Sequence, residues 1–226
     1  MRTLIITLAL AISGIACAQE NESTWWDNYN SQNSKTAVRN KPDWGKFATK
    51  IQIHLNLDWM SGAGSKGFSG SVGYGLGVSE DFFNNKNLGF EVGVYGSKSR
   101  LDIAMGNDYN TSVSLTYLEL QALANPRLFI DNSALELNLG LSLNLGLTGN
   151  MSYKSEDLHI NPFSADSGKG KALLKSSHVS LLYGMTYRWK HFYIRMLMHQ
   201  GLSNIANAGS EKAYLWNFDF SLGYIF

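Results

Sequence analysis

Nine residues able to do chemistry recur in one kind of setting: the carboxylates Asp58, Glu91, Glu119, Glu136 and Asp219, and the bases Arg188, Arg195, His54 and His199. All but His199 have an apolar neighbour on both sides, so in a β-strand each projects away from a row of Leu, Val, Ile, Met or aromatic side chains. Gathered on one enclosed face, they would neutralise each other in a hydrogen-bonded ion network, because an unpaired charge there is costly. Nucleophilic catalysis has one candidate constellation: His199 with Ser203 four residues on, and Glu211 to orient the imidazole. His199 nonetheless shares the parity of the enclosed set, and no catalytic residue is assigned. His54, His159, His178, His191 and His199 show no paired ligand spacing, so neither a metal site nor a cofactor site is assigned. The basic loop residues Lys169, Lys171 and Lys175 could meet lipid phosphates, with a solvated loop as the plainer account.

The elements that carry these residues read as strands of period two. Alternation predicts strands over residues 50–60, 68–78, 88–95, 114–124, 135–147, 179–189, 192–199 and 216–226. The fifth is the cleanest, with leucine at every odd position from Leu135 to Leu147 against Glu136, Asn138, Gly140, Ser142, Asn144 and Gly146. In the fourth, Val113 and Leu115 share the parity of Tyr117, which predicts a bulge near its outer end. Longer loops are expected at 97–112 and 148–177, and a two-residue turn at Lys190-His191. That turn would pair Trp189 with Phe192, Arg188 with Tyr193 and Met185 with Met196.

One face of every strand is thus apolar, while the other is rich in Gly, Ser and Asn. A soluble barrel would instead show Lys, Glu and Thr on its wet face. Charged residues are only 16% of the 226-residue chain, below the roughly 25% of soluble domains. The pattern predicts an all-β, eight-stranded antiparallel up-and-down transmembrane β-barrel: lipid against the apolar face, and small residues such as Gly73, Gly93, Gly140 and Gly184 making room in the lumen for Tyr95, Tyr193 and Arg195. A barrel of this size leaves no broad water-filled pore. The net charge of +1 and the lack of a basic run with interleaved aromatics give no case for nucleic acid.

Residues 1–18 read as a secretory signal peptide, with Arg2, an apolar run from Leu4 to Ile12, and Ala16-Cys17-Ala18 as the cleavage site. Acylation of Cys17 is the rival, disfavoured by Gly14. Residues 19–47 form a polar periplasmic lead-in containing Trp25, Trp26 and Trp44, either loosely ordered or a short plug, and residues 48–226 the barrel. With both ends in the periplasm, the longer connections fall outside.

The last strand, with Phe220, Leu222, Tyr224 and Phe226 on one face, resembles the C-terminal assembly signal of Gram-negative outer-membrane barrels, which implies the barrel assembly machinery as a partner. The stretch from Tyr117 to Ala124 resembles the YLEIPLLL-type strand of the PorT-like outer-membrane β-barrel family. Residues 201–205 resemble its GLTNI-type turn, and residues 222–226 its LGYRF-type ending. Gln121 stands where that family has Pro, and no Lys-Tyr pair follows Ala124. The resemblance implies an outer-membrane barrel of the porin kind and, at one remove, a link to secretion or gliding. The expected function is that of a non-enzymatic, structural or partner-binding protein of a Gram-negative outer membrane. It would contact outer-membrane lipid, lipopolysaccharide and an envelope protein that the sequence does not name. The alternatives are a lipid A-modifying enzyme, although lipid A deacylases hold their His and Ser two residues apart, and a soluble lipocalin-like carrier.

Overall fold

The computed structural model describes residues 47–65, 68–83, 87–104, 110–130, 132–153, 156–164, 172–207 and 211–226. The expected signal peptide, all of the lead-in before Phe47, Lys169 and Lys171 lie outside these residues. The strands are β1 (Phe47–Ser61), β2 (Phe68–Phe82), β3 (Leu88–Ala104), β4 (Asn110–Ile130), β5 (Ser133–Tyr153), β6 (Glu156–Ile160), β7 (Ser177–Trp189), β8 (Phe192–Gly201) and β9 (Tyr214–Ile225). Eight of them pair in a ring, each antiparallel to the next: β1 through β5, then β7, β8 and β9, with β9 returning to β1. The fold is a closed eight-stranded up-and-down barrel, which leaves no unpaired edge in the ring. The short β6 folds back on the far end of β5.

Alternation in the sequence becomes inside and outside in space. Leu137 is 57% exposed while its neighbour Glu136 is 0% exposed, and the same contrast runs along every ring strand. The Lys190-His191 turn gives the register expected of it, with Trp189 opposite Phe192, Arg188 opposite Tyr193 and Met185 opposite Met196. Lys190 takes φ 52°, the left-handed conformation that such a turn demands and that Gly or Asn would adopt more readily.

Three expectations need correction. The strands overrun their predicted ends: β2 continues to Phe82, β3 to Ala104, β4 spans Asn110–Ile130 and β5 reaches Tyr153, so most of 97–112 and the start of 148–177 are strand rather than loop. Pro126 accordingly lies within β4, opposite Leu88 at the start of β3. The bulge is not in β4, where Val113, Leu115, Tyr117, Glu119, Gln121 and Leu123 all point inward without a break. It lies across from it: Thr116 pairs with Thr148 and Tyr117 with Gly146, leaving Leu147 of β5 as the extra residue. Past that bulge the inward parity of β5 changes, and Met151 is buried.

That change accompanies an inversion of the barrel wall. Over most of its height the outside is apolar and the inside polar. At the loop end, β3, β4 and β5 carry Lys98, Arg100, Ser114, Thr116, Thr148 and Asn150 outward, while Leu101, Val113, Leu115 and Met151 are buried inside. These join Met60, Tyr117 and Leu215, and Phe163, Leu173, Leu174, Ile205, Ala206 and Ala213 pack on them as a lid. Backbone bonds tie the lid together, from Leu174 N–H to Pro162 O at 2.9 Å and from Lys175 N–H to Ile205 O at 2.8 Å. A wall that is oily outside and polar inside needs hydrocarbon around it; the reversed wall needs water. The bilayer boundary on this face therefore falls between Val94 and Lys98 of β3.

Candidate functional site

Within the hydrocarbon band the lumen is filled by side chains, and its centre is Glu91. That carboxylate receives donors from five strands: Arg195 Nη1 at 2.8 Å and Nη2 at 2.6 Å, Lys50 Nζ at 2.8 Å, Ser79 Oγ at 2.8 Å, Tyr95 OH at 3.2 Å and Asn125 Nδ2 at 3.3 Å. Lys50 also lies 2.8 Å from Asp81 and 3.7 Å from Glu136. Arg127 bonds Glu136 through Nε at 2.8 Å and grips Asp81 with its terminal nitrogen. Three cations thereby face three carboxylates in a space without solvent; Lys50 is only 1% exposed. The surrounding shell is completed by neutral groups. Arg195 Nε donates to Thr186 Oγ1 at 3.0 Å, Thr186 to Asn138 at 2.8 Å, Asn138 to Asn125 at 3.0 Å, and Tyr193 OH to Gln52 at 2.9 Å. Arg188 is buried in the same half of the lumen, opposite Ala134 and Tyr193.

A second polar layer lies nearer the lid. His199 Nε2 faces Asp219 at 3.1 Å and its Nδ1 faces Glu119 at 3.8 Å. Asp58 accepts from Asn56 at 2.7 Å and from Asn217 at 2.8 Å, while Glu119 accepts from Ser97 and, at 3.2 Å, from Gln121. A cavity of about 10 Å³ among Tyr117, Glu119, Asn144, His178, His199 and Asn217 has room for a single water.

The predicted lumen residues therefore divide between two layers. Glu91, Glu136 and Arg195 meet in the first; Asp58, Glu119, His199 and Asp219 line the second. His54 stays apart, packed edge-on to Tyr95 with ring centroids 6.4 Å apart. Lys50, Asp81 and Arg127, half of the central charges, were not among the predicted set. Lys50 opens its strand and has the lumen parity, but Asp81 and Arg127 fall in stretches taken for connections. The glycines that admit the large lumen side chains also differ in part from expectation. A Cβ at Gly77 would meet the Tyr95 ring at 1.9 Å, one at Gly93 the same ring at 2.6 Å, and one at Gly223 the Tyr193 ring at 2.2 Å. Gly73, Gly140 and Gly184 instead accommodate backbone, of Lys98, Ala122 and Met196 respectively.

The catalytic constellation is not assembled. His199 is turned into the lumen toward two carboxylates, Ser203 Oγ accepts from Val179 N–H at 2.9 Å, and Glu211 is exposed. No cluster of His, Cys, Asp or Glu suited to a metal occurs among the described residues.

Aromatic residues stand at both margins of the apolar band. Phe47, Trp189, Phe192, Tyr224 and Phe226 stand at the end with the two-residue turn, and Trp59, Trp216 and Tyr74 toward the loop end, with the Trp59 and Trp216 rings stacked at 6.2 Å. From Phe47 to Trp59 the band is about 30 Å high for strands rising ~3.3 Å per residue at a tilt of ~40°. This is the wall of a membrane-spanning barrel.

No protein-family model matches the chain, and no curated protein matches it. Among solved structures the chain is similar to Ail, the attachment invasion locus protein of Yersinia pestis, at 13% identity and TM-score 0.44 over 80% of this chain and 100% of that one. It is similar to Neisserial surface protein A at 14% identity and TM-score 0.41 over 79% and 97%. It is also similar to the outer membrane protein OprG of Pseudomonas aeruginosa, at 14% identity and TM-score 0.42 over 80% and 96%. These are small eight-stranded outer-membrane barrels.

Proposed function

We propose that the chain is a non-enzymatic integral protein of a Gram-negative outer membrane, with its termini in the periplasm and its loop end outside, where it engages a partner in the envelope. The observation that carries this reading is the inversion of the wall between Val94 and Lys98 of β3. It supports a bilayer around the band and an aqueous phase around the loop end. The sealed lumen supports a scaffold over a channel, since Glu91 and its five-strand set of donors fill the section a solute would have to cross. What remains for engagement is the rim: the lid segments around 172–176 and 202–207, together with the polar outer face of β3 to β5. The connections at the opposite end, 83–87, 131–132 and 190–191, are short and offer far less surface.

The PorT-like family, the link to secretion or gliding, and recognition of Phe220, Leu222, Tyr224 and Phe226 by the barrel assembly machinery rest on the sequence resemblance and belong to this proposal. Fractionation followed by heat-modifiable gel migration tests the membrane assignment. A membrane-fraction protein whose mobility shifts on boiling is expected, and a periplasmic protein without the shift would refute it. Photo-cross-linking in intact cells from Lys175 and Asn207, both exposed on the lid, should trap a discrete envelope partner. Steady ion conductance in planar bilayers, or an altered lipid A acyl pattern on His199→Ala, would overturn the scaffold reading.

A further inference from the structure

On the outside of the ring, β2, β3, β4, β5 and β7 form a depression of about 750 Å³ lined by Val78, Val92, Val94, Leu120, Ala122 and Leu141, with Glu80, which accepts from Thr49 Oγ1 at 2.8 Å, on its β2 side. Its cause is local: Ala122, paired with Val92 on one side and Leu141 on the other, is the smallest side chain in a wall of Val and Leu. Away from Glu80 the lining is apolar, and left empty the hollow would forfeit the dispersion contacts of that lining. Within a bilayer its natural filling is hydrocarbon.

The outward row of β3 continues upward from this hollow. After Val92 and Val94 come Gly96, Lys98 and Arg100, at intervals of two residues, or about 7 Å. At Gly96 a Cβ would meet nothing within 4 Å, so the wall is notched between the apolar hollow and the two cations. Lys98 lies opposite Tyr74 on β2 and Thr116 on β4, and Arg100 opposite Ser114. Arg100 is 58% exposed and its Nε is 3.6 Å from Asp102, a solvated pair of small strength that an anion can outbid. Thr148 and Asn150 of β5 extend the same face with further hydroxyl and amide groups.

Resting on the proposal that the band faces a bilayer with the loop end outside, we infer that this face seats a phosphorylated glycolipid of the outer leaflet. Acyl chains fill the hollow around Ala122, the sugar sits over the notch at Gly96 against the hydroxyls of Ser114, Thr116 and Thr148, and phosphate meets Lys98 and Arg100. Charge complementarity favours an anionic headgroup at this height. The hydroxyl and amide groups beside the cations favour a sugar over a bare glycerophosphate. The hollow, within the roughly 300–1,000 Å³ of small-molecule sites, accepts a lipid with several chains.

The test uses the full chain in phosphatidylcholine nanodiscs doped with lipid A, with bound lipid counted by native mass spectrometry. Wild type should retain lipid A, whereas Lys98→Glu/Arg100→Glu and, separately, Ala122→Trp should each retain it about tenfold less. Dephosphorylated lipid A should bind wild type as poorly as lipid A binds the charge variant. Every protein is first shown to be heat-modifiable. If wild type itself fails that step, the membrane reading fails; if wild type inserts but retains no lipid A, retains it equally in all variants, or prefers phosphatidylglycerol, the glycolipid seat is refuted.

Discussion

Arginine placed at two heights on β5 separates a barrel in lipid from a barrel in water. Leu139 lies outward near the middle of the leucine row, and Asn150 lies outward beyond the bulge at Leu147. In a bilayer, Arg at the midplane of a barrel wall costs about 2–4 kcal/mol, and near the interface about 0–1 kcal/mol. Leu139→Arg should therefore lower unfolding stability by about 3 kcal/mol, and Asn150→Arg by no more than about 1 kcal/mol. Leu139→Ala, run alongside, removes the leucine contacts without adding a charge and isolates the cost of burying the guanidinium. The assay is urea unfolding and refolding in vesicles, followed by tryptophan fluorescence and by the heat-modifiable shift. A soluble barrel inverts the expectation, because an exposed Leu→Arg change in water is worth about 0.5 kcal/mol either way. Equal effects at the two heights would refute the bilayer boundary, and with it the reading of the wall.

Three further outcomes follow from the lumen and the terminus. Glu91→Gln leaves Lys50 and Arg195 around a neutral amide in a space without solvent, and should cost about 3–5 kcal/mol, measured in the same vesicle assay; a loss under about 1 kcal/mol would mean that water reaches the network. Gly77→Ala drives a methyl group into the Tyr95 ring and should cost about 1–3 kcal/mol, with the loss reduced in combination with Tyr95→Ala; strict additivity of the two would show that the ring is not the obstacle. Phe226→Ser, which removes an exposed apolar residue at the end of the β9 row, should reduce the yield of heat-modifiable barrel in cells while the purified variant refolds normally into vesicles; unchanged yield in cells would remove the terminus from the assembly signal.

The ring of eight strands, their order and the two faces were legible because one rule operates over the whole band: lipid outside selects apolar residues at every second position. The same rule explains what was missed. Residues 97–104 and 110–113 are strand, yet the outer face turns polar at Lys98 and Arg100 and the inner face turns apolar at Leu101 and Val113, so Lys98 and Arg100 read as loop residues although they continue the row of Val92 and Val94. Asp81 and Arg127 were lost for a related reason. They lie past the predicted ends of their strands, and only pairing across the barrel brings them to Lys50 and Glu136. The short spacing of the Lys190-His191 hairpin fixed its register because two residues leave no slack. The bulge at Leu147 was invisible because leucine continues the alternation past the residue where the pairing shifts. Parity put residues of both layers into one predicted set, and since parity carries no height it could not divide them.

Height is what the charges themselves supply. In water, a strand that slips by one residue exposes its apolar face and is penalised; in hydrocarbon, a leucine gains little by choosing lipid over a closed lumen, and that penalty shrinks. The register of a membrane barrel must then be set by groups that lipid rejects. Slipping β3 by one residue would turn Glu91 outward, away from donors on β1, β2, β4 and β8; Arg195 would lose its carboxylate and Lys50 one of the three it faces. Each charge stranded in hydrocarbon near the midplane would cost about 2–4 kcal/mol, several times the gain available from any one misplaced leucine. The ion network around Glu91 is thus a key for strand alignment as much as a plug, and a variant with the pair replaced together, Glu91→Leu/Arg195→Met, should hold its stability better than either single change while populating barrels of mixed register.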